Sequence, residues 1–378
     1  MQTINGAWLG NAGTQTVLAL LSDAGHAAFV VGGCVRNALL GVAVTDVDIA
    51  TDARPERVLE MAQAAGLRAV PTGLDHGTVT LVMNGEGYEV TTFRRDVATH
   101  GRHATVAFST NVTEDAARRD FTMNALYADA RGAVLDPLGG MADLRARRVR
   151  FVGDARARIQ EDYLRILRFF RFHAQYGDPE QGLDADALDA CARGANGMGQ
   201  LSAERIGAEM RKLLGAPDPA PAVSAMAQCG VLAQVVAGAD AQALPRLVHL
   251  EGEIPPRWLR RLLVLGGQTD RLRLTRKEAR TLAQMRAAVG ALQGPAQLGY
   301  KLGHNQGADV ILARAAMMET PPPPDWQTEL TRGAAAVFPV RAADLPHLQG
   351  PDLGARLKDL EGQWLASNLT LTRKELLG

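Results

Sequence analysis

Long apolar runs are missing from this sequence. No window reaches the roughly 20 apolar residues that a membrane helix needs, and the first residues lack the basic-then-apolar order of a secretion signal. No membrane partner is expected. Cysteine is scarce: Cys34, Cys191 and Cys229 stand far apart, with no C-x-x-C pair. A zinc site and a disulfide framework are thereby disfavoured, and a reducing cytoplasm is the expected setting. Net charge is also missing, since 41 basic residues face 41 acidic ones. The total therefore announces no nucleic-acid partner. No internal repeat is visible. What is left is a globular composition, 47% apolar and 22% charged, over 378 residues. That length exceeds one ordinary core and predicts two to four domains.

The stretch from Phe29 to Thr51, FVVGGCVRNALLGVAVTDVDIAT, organises the reading. Ala27 to Val31 has the apolar run of a buried strand. Gly32 and Gly33 follow, then a short segment from Val35 to Leu40 with helical spacing and a Gly41 stop. A glycine turn thus opens onto a helix N-terminus, where free N–H groups and the helix dipole favour a phosphate. A second strand, Thr45 to Thr51, carries Asp46 and Asp48 on one side. Two carboxylates beside a phosphate cradle repel each other unless a cation sits between them. Mg²⁺ takes carboxylate and substrate phosphate oxygens, so the pattern reads as a metal-dependent nucleotide site. A lone Gly-Gly is usually a turn, and a lone D-x-D a solvated edge. The two together, joined by a helix, favour chemistry.

Further along, residues 14 to 25 predict an amphipathic helix, and Pro55 to Ala65 a helix stopped by Gly66. Val79 to Met83 and Tyr88 to Phe93, separated by Asn84-Gly85-Glu86-Gly87, predict a hairpin. Glu89 lies inside the second of these strands. It reads either as a third metal ligand facing Asp46 and Asp48 or as an exposed alternate position. Residues 94 to 105 predict a mobile loop. In Arg118 to Ala125, RRDFTMNA, Arg119 is a candidate for triphosphate or ribose oxygens. Asp120 and Asn124, four apart on the expected helix, are candidates to fix that arginine or read a sugar hydroxyl.

Beyond about residue 145 strand signals thin out. Gln160 to Gln175 predicts one strong amphipathic helix, and Ser202 to Leu214 a second. Two basic stretches stand out. Nine arginines lie between Arg145 and Arg171, and nine basic residues between Arg257 and Arg286. They predict positive surfaces, or else arginine-rich helix faces of no functional meaning. On the first helix Asp162 and Arg165 are three apart. A carboxylate accepting from an amino group and a guanidinium donating to a ring nitrogen admit C and A and reject U and G. An ordinary ion pair on a helix gives the same spacing.

Nucleotidyl transfer needs two or three carboxylates to hold two metal ions roughly 4 Å apart. Asp46, Asp48 and Glu89 can supply them, while Gly32, Gly33 and Arg36 take the triphosphate. At this point GGCVRN-x-LLG…DVDIAT, YEVTTF, RRDFTMNA, DPLGG and EDYLRILRFFRF, in this order, resemble the class II tRNA nucleotidyltransferases. These are the CCA-adding enzymes, with bacterial poly(A) polymerases as close relatives. The match is dense from about residue 27 to 175, weaker to about 215 and general beyond. It implies an α+β fold: a polymerase-β-type nucleotidyltransferase head with a mixed sheet, then an all-α neck, body and tail. The expected borders are 1–145, 146–215, 216–310 and 311–378. It implies metal carboxylates at Asp46 and Asp48 with Glu89 beside them, triphosphate contacts at Gly33 and Arg36, and a ribose and phosphate contact at Arg119. Base reading falls on Asp162 and Arg165, supported by Arg168 and Arg171. The family's flexible loop falls at 94 to 105. The implied cofactor is Mg²⁺, two ions in the active complex, and the implied partners are tRNA, CTP and ATP. The tRNA elbow is expected along body and tail, at 257 to 286. One departure stands out: the family usually has Asp where this chain has Asn37, which removes a negative charge near the phosphates but keeps a hydrogen-bonding group.

The expected activity is addition of C, C and A to a tRNA 3′ end without a nucleic-acid template. Its rivals are a poly(A) polymerase, which tends to carry a basic extension, and a CC- or A-adding specialist, whose signature would lie in the 94 to 105 loop. A catalytically dead RNA-binding relative is disfavoured by Asp46, Asp48, Asp162 and Arg165. No His-Asp dipeptide occurs, so no phosphohydrolase activity is expected.

Overall fold

Apolar and β-branched segments cut by Gly and Asn-Gly turns build a sheet from the first third of the chain. A computed structural model describes residues 2–100 and 103–378. Helix α1 (Ala12–Asp23) starts two residues before the expected point, because Asn11 accepts the Gly13 N–H at 2.7 Å and caps it. Then come β1 (Ala28–Val31), α2 (Gly33–Leu40), β2 (Asp48–Thr51) and α3 (Pro55–Ala64). Pro55 sits in the first turn of α3, where its missing N–H costs nothing. The chain continues through β3 (Arg68–Gly73), β4 (Thr78–Met83) and β5 (Glu86–Thr92). Asn84 and Gly85, both at positive φ, make the β4–β5 turn tighter than the four-residue link expected. Strand β3 carried no clear signal, since it pairs only at one edge and is half exposed.

Strands β6 (Arg94–His100) and β7 (His103–Phe108) pair antiparallel as a separate hairpin. The segment expected as an irregular loop is therefore largely laddered backbone; its residues 101 and 102 lie outside the described residues. Helix α4 (Val112–Ala117), β8 (Tyr127–Ala128), β9 (Val134–Leu135) and α5 (Gly140–Arg145) complete the head. The sheet order is β3-β4-β5-β2-β1-β8-β9. Only β2 and β5 run parallel, and their register sets Asp48 beside Glu89. Helices α1 and α2 pack on β1, and α3 on β3 and β4. Phe29, Phe93 and Tyr127 meet at ring distances of 6.3 to 6.5 Å within the head core.

The long helix expected at 160 to 175 is two. Helix α6 (Ala155–Glu161) ends at Asp162, whose φ of −155° is extended, and α7 (Leu164–Tyr176) begins after it. Asp162 Oδ1 accepts the Leu164 N–H at 3.1 Å, so its carboxylate competes with helix continuation. Phe169 and Phe172 of α7 join Phe121 and Phe151 of the head in one aromatic cluster. Helix α8 (Ala185–Gly194) follows.

Contacts divide the chain into two compact units, residues 1–201 with 229–234, and residues 202–228 with 235–378. The second is helical: α9 (Ala203–Leu214), α10 (Ala220–Gln228), α11 (Val231–Val235, most of it in the first unit), α12 (Leu244–Glu251), α13 (Trp258–Leu265), α14 (Arg276–Gly290), α15 (Pro295–Met318), α16 (Trp326–Ala335), α17 (Gly350–Ala366) and α18 (Arg373–Leu377). Gly303 interrupts α15. A small separate core gathers Val340, Leu345, Leu360, Trp364 and Leu376 near the end.

The basic stretch at 257 to 286 is not all surface. Arg260 and Arg261 are each 1% exposed. Arg260 donates to Glu251 at 2.7 Å and to Asp309 at 3.2 Å; Arg261 donates to Glu251 at 2.7 Å and to the Leu214 and Pro217 carbonyls. Buried guanidiniums need this many acceptors, and they take them from four segments of the unit. Arg273, Arg276, Lys277, Arg280 and Arg286 are the exposed ones.

Burial pushes the Asp309 carboxyl up to about 6, against the pull of Arg257 and Arg260 and with Glu251 adding to the push. A folded value above the unfolded one means that the native state holds the proton more tightly. This group's contribution to stability is therefore present at low pH and lost as pH rises through about 6. Asp309→Asn abolishes that titration. The variant's melting temperature, relative to the parent, should rise between about pH 4 and pH 7. A difference that stays flat over this window, in parallel thermal melts, would show that Asp309 does not titrate there.

Candidate active site

The site grows from the β1–α2 turn. Gly32 has φ of 73°, a conformation that favours glycine, and its N–H bonds the Leu126 carbonyl at 3.0 Å. A Cβ there would sit 3.3 Å from Arg119 Nη1, and one at Gly33 would sit 3.8 Å from Arg36 Nη2. The two glycines thus leave two guanidiniums approachable from the turn at the N-terminus of α2.

Asp48 opens β2, while Asp46 precedes the strand, in a segment that forms no ladder. The strand expected from Thr45 is therefore shorter by three residues. Asp46, Asp48 and Glu89 nevertheless line one cleft of about 730 Å³, with Trp8, Asn11 and Tyr88 among its walls. Crowding by the cleft walls raises the pKa of Asp48. The Glu89 charge raises it further, Arg119 opposes the rise, and Asp46 adds to it. Burial is the larger cause, and the two neighbouring acids add to it more than Arg119 alone is placed to answer. Among the described residues, no three His, Cys, Asp or Glu side chains stand close enough together to hold a metal ion as they are. The donor set still fits a hard divalent cation: exposed carboxylates that share one cleft and repel one another, free to turn inward around it.

The arginines are held from behind. Arg119 donates to Asp115 at 3.0 Å and to the Tyr127 hydroxyl at 3.1 Å, and that hydroxyl donates to the same carboxylate at 2.7 Å. Arg118 takes the other Asp115 oxygen at 2.8 Å. Burial pushes the Asp115 carboxyl up, but Arg119 and Arg118 outweigh it and hold it below the usual range. Asp120 was expected to fix Arg119. It instead takes Arg168 from α7, through two donors, and its pKa is likewise lowered by Arg168 against burial. Residues 118 to 125 are no helix beyond α4. They form a turn, the isolated bridge residue Phe121 and a 3₁₀ turn, Thr122–Asn124, so the expected helical face does not exist. Asp120 and Asn124 still meet, because the turn lets Asn124 Nδ2 donate to Asp120 at 3.1 Å.

Asn124 Oδ1 accepts from Arg36. Arg36, 6% exposed, also donates to Asn37 at 2.8 and 3.1 Å and to the Tyr176 hydroxyl at 2.8 Å. Its guanidinium lies 4.0 Å from the Tyr176 ring centre. Burial lowers its pKa, which Arg171 lowers further. Arg36 is thus tied to α7 at two points: to Tyr176 at its C-terminal end directly, and to Arg168, two turns earlier, through Asn124 and Asp120.

The structure parts Asp162 from the helix that bears Arg165. Asp162 lies in the α6–α7 break, while Arg165 donates to Glu161 and, at 2.6 Å, to the Arg158 carbonyl. Arg158 is buried, donates to Glu161 at 2.5 Å and to the Arg119 carbonyl at 2.9 Å, and so joins α6 to the head. Arg171 stacks over Phe172 at 4.6 Å and donates to Gln175 at 3.1 Å. Of the first basic stretch, Arg145, Arg147, Arg148, Arg150 and Arg156 are exposed, whereas Arg158 and Arg171 are buried. Sequence reasoning missed Asp115, Tyr127, Tyr176, Glu161 and Arg158 as clamps. An acid or tyrosine a turn from a site arginine was the available signal for Asp115, but nothing local marked Tyr127 or Tyr176.

Comparisons with known proteins place the chain in a family. Residues 28–150 match the family described as the poly A polymerase head domain, and residues 183–242 match a probable RNA- and SrmB-binding site of polymerase A. The chain is 45% identical to the mitochondrial CCA tRNA nucleotidyltransferase 1 of Mus musculus over 53% of this chain and 47% of that protein, so that alignment spans about half of the relative's length. It is 34% identical to the CCA-adding enzyme of Geobacillus stearothermophilus over 93% of this chain and 89% of that one. A crystal structure of the Bacillus stearothermophilus CCA-adding enzyme in complex with CTP superposes with a TM-score of 0.71 and 29% identity, covering 93% of this chain and 92% of that one. The family uses divalent metal ions. By its head, its helical remainder and its relatives along nearly its whole length, the chain belongs to the CCA-adding tRNA nucleotidyltransferase family.

Proposed function

We propose that this protein adds C, C and A to the 3′ end of tRNA from CTP and ATP, without a nucleic-acid template. The observation that carries this reading is the parallel β2–β5 register that sets Asp48 beside Glu89 in the cleft with Asp46. The tRNA 3′ oxygen forms a bond to the α-phosphorus, the bond from that phosphorus to the β-phosphate oxygen breaks, and pyrophosphate leaves. Asp46 and Asp48, with Glu89 beside them, would hold two Mg²⁺ ions, which supply charge neutralisation for the attacking and leaving oxygens. The Gly33 N–H, Arg36 and Arg119 receive the triphosphate, while Gly32, whose own N–H is held by the Leu126 carbonyl, shapes the turn. Arg119 meets it already oriented by Asp115 and Tyr127. Asp120 and Asn124 act behind them, by holding Arg168 and Arg36.

Base choice falls on Asp162 and Arg165, supported by Arg168 and Arg171. For this, Arg165 must exchange its bond to Glu161 for one to the base. The exposed Arg276, Lys277 and Arg280 on α14 offer charge to the tRNA backbone. The head, neck, body and tail borders at 145, 215 and 310 are part of this reading, although the last falls within α15. So is a cytoplasmic setting, from the three scattered cysteines with no C-x-x-C pair; no helix among the described residues is long and apolar enough to cross a membrane.

A tRNA transcript lacking its CCA, incubated with Mg²⁺ and CTP, ATP or both and read at nucleotide resolution, tests the reading. Two additions with CTP and one more when ATP joins are expected. A long A ladder would make this a poly(A) polymerase, a halt at CC despite ATP a CC-adding enzyme, and no addition an inactive RNA-binding relative. Asp48→Asn should remove addition while tRNA binding, by filter retention, stays near that of the parent. A variant that still adds nucleotides sinks the metal assignment.

Gly32→Ala places a methyl group against Arg119 in a left-handed backbone conformation, which costs about 1–2 kcal/mol. The melting temperature should fall by a few degrees, and KM for both nucleotides should rise about tenfold as Arg119 is displaced. An unchanged KM would show that Arg119 does not serve the triphosphate.

A further inference from the structure

Four arginines around this site, of which Arg158 is the fully buried one, are answered by acids. Arg119 has Asp115, Arg168 has Asp120, and Arg158 and Arg165 share Glu161. Arg36 is as deeply buried as Arg158, yet its four hydrogen bonds run to the Asn37 amide oxygen twice, to the Asn124 amide oxygen and to the Tyr176 hydroxyl. All are neutral acceptors. Among the described residues no carboxylate lies within ion-pairing distance of Arg36. Asp120 favours the Arg36 charge from a distance but bonds it only through Asn124, and both Asp120 oxygens are already taken, one by Arg168 and the other by the Phe121 N–H and Asn124. The electron-rich face of Tyr176 gives the cation some compensation, but no neutralisation.

The geometry around it is fixed. Asn37 donates its Nδ2 to the Ala43 carbonyl at 2.9 Å, which turns its oxygen toward Arg36. Tyr176, the last residue of α7, holds Nη2 from the far side. Nη2 faces Gly33, where a side chain would stand 3.8 Å away and none exists. A buried guanidinium of fixed orientation beside a helix N-terminus, hydrogen-bonded to neutral groups alone, is placed to take an anion.

We propose that Asn37 and Tyr176 are positioning residues that hold Arg36 without neutralising it, so that the nucleotide's phosphate groups complete the buried ion pair. This rests on the functional reading above and adds to it what sets triphosphate affinity in this chain. An acid at position 37 would satisfy Arg36 in the empty protein and compete with the phosphates. The amide leaves that role to the ligand. Because the partners are neutral and the polyphosphate carries no base, the effect is the same for CTP and ATP.

Asn37→Asp tests this in the full chain with two readouts. Without tRNA, the parent should gain melting temperature on adding inorganic triphosphate, and the variant should gain clearly less. In addition assays, KM for CTP and for ATP should rise together by about tenfold, kcat should change less, and rejection of UTP should stay intact. Tyr176→Phe, which keeps the ring and loses one hydrogen bond, should move KM in the same direction by less, and keeps the test open if the first variant folds poorly. Unchanged KM values and an unchanged triphosphate shift, with only the ligand-free melting temperature altered, would reduce Asn37 to a structural residue and overturn the proposal. A parent that adds nucleotides but shows no triphosphate shift would overturn it as well. If the parent adds nothing yet shows the shift, and Asn37→Asp diminishes it, the proposal on Arg36 stands and the proposed reaction falls.

Discussion

A guanidinium cannot be buried unanswered, and that constraint shapes the first unit of this protein. Its charge does not titrate away at any physiological pH, so each buried arginine must find acceptors in the fold. Arg158 finds Glu161 and two carbonyls of the head, Arg119 finds Asp115 and Tyr127, and Arg168 crosses from α7 to Asp120. Removing one partner of such a pair leaves the other charge behind without compensation, which is most costly at the deeply buried Arg158. These pairs, more than the short strands β8 and β9, fasten α6 and α7 to the sheet. The aromatic cluster of Phe121, Phe151, Phe169 and Phe172 supplies the apolar part of the same joint. Its rings meet at 4.7 to 5.8 Å, where tilted and stacked arrangements are favourable.

The acidic side of the site follows the opposite logic. Asp46, Asp48 and Glu89 are left open to a cleft and face one another with too little positive charge. The parallel pairing of β2 with β5 enforces this, since parallel partners direct their side chains to the same face. On the proposed reading the two halves of the site carry complementary charge: carboxylates suited to a divalent cation, and Arg36, held by neutral groups and suited to an anion. A metal-bound nucleoside triphosphate carries both charges in one ligand.

Much of this was legible in the sequence, for reasons that can be named. Gly32-Gly33 after an apolar run, and alternate aspartates in a strand-forming stretch, are local patterns, and local patterns survive folding. Glu89 could be placed in a strand, but its partnership with Asp48 depends on a parallel pairing between segments some forty residues apart, with α3, β3 and β4 in between. No local rule fixes such a register. The 160 to 175 segment misled because its apolar periodicity runs straight through Asp162. Periodicity does not register that an aspartate side chain can cap the helix following it and so break the one before. The basic stretch in the second unit misled in another way. Arg260 and Arg261 look like surface charge until Glu251 and Asp309, from other helices, are brought against them.

The placement of Tyr176 shows how the two parts of the site can be coupled. Helix α7 carries Arg165, Arg168 and Arg171 along its length and ends on the tyrosine that holds Arg36. Arg168, Asp120, Asn124, Arg36 and Tyr176 form a closed circuit of hydrogen bonds that leaves α7 and returns to it. A shift of α7 as a base enters must therefore alter the circuit at both ends. A rigid α7 would keep Arg36 in place whichever base is bound, which suits an enzyme that must present one phosphate site to two different nucleotides. Base selection can then vary at the Asp162–Arg165 end, where the helix begins in a break and not in a continuous turn. On the proposed assignment, the circuit would hold the phosphate end still and the break would leave the base end free to adjust.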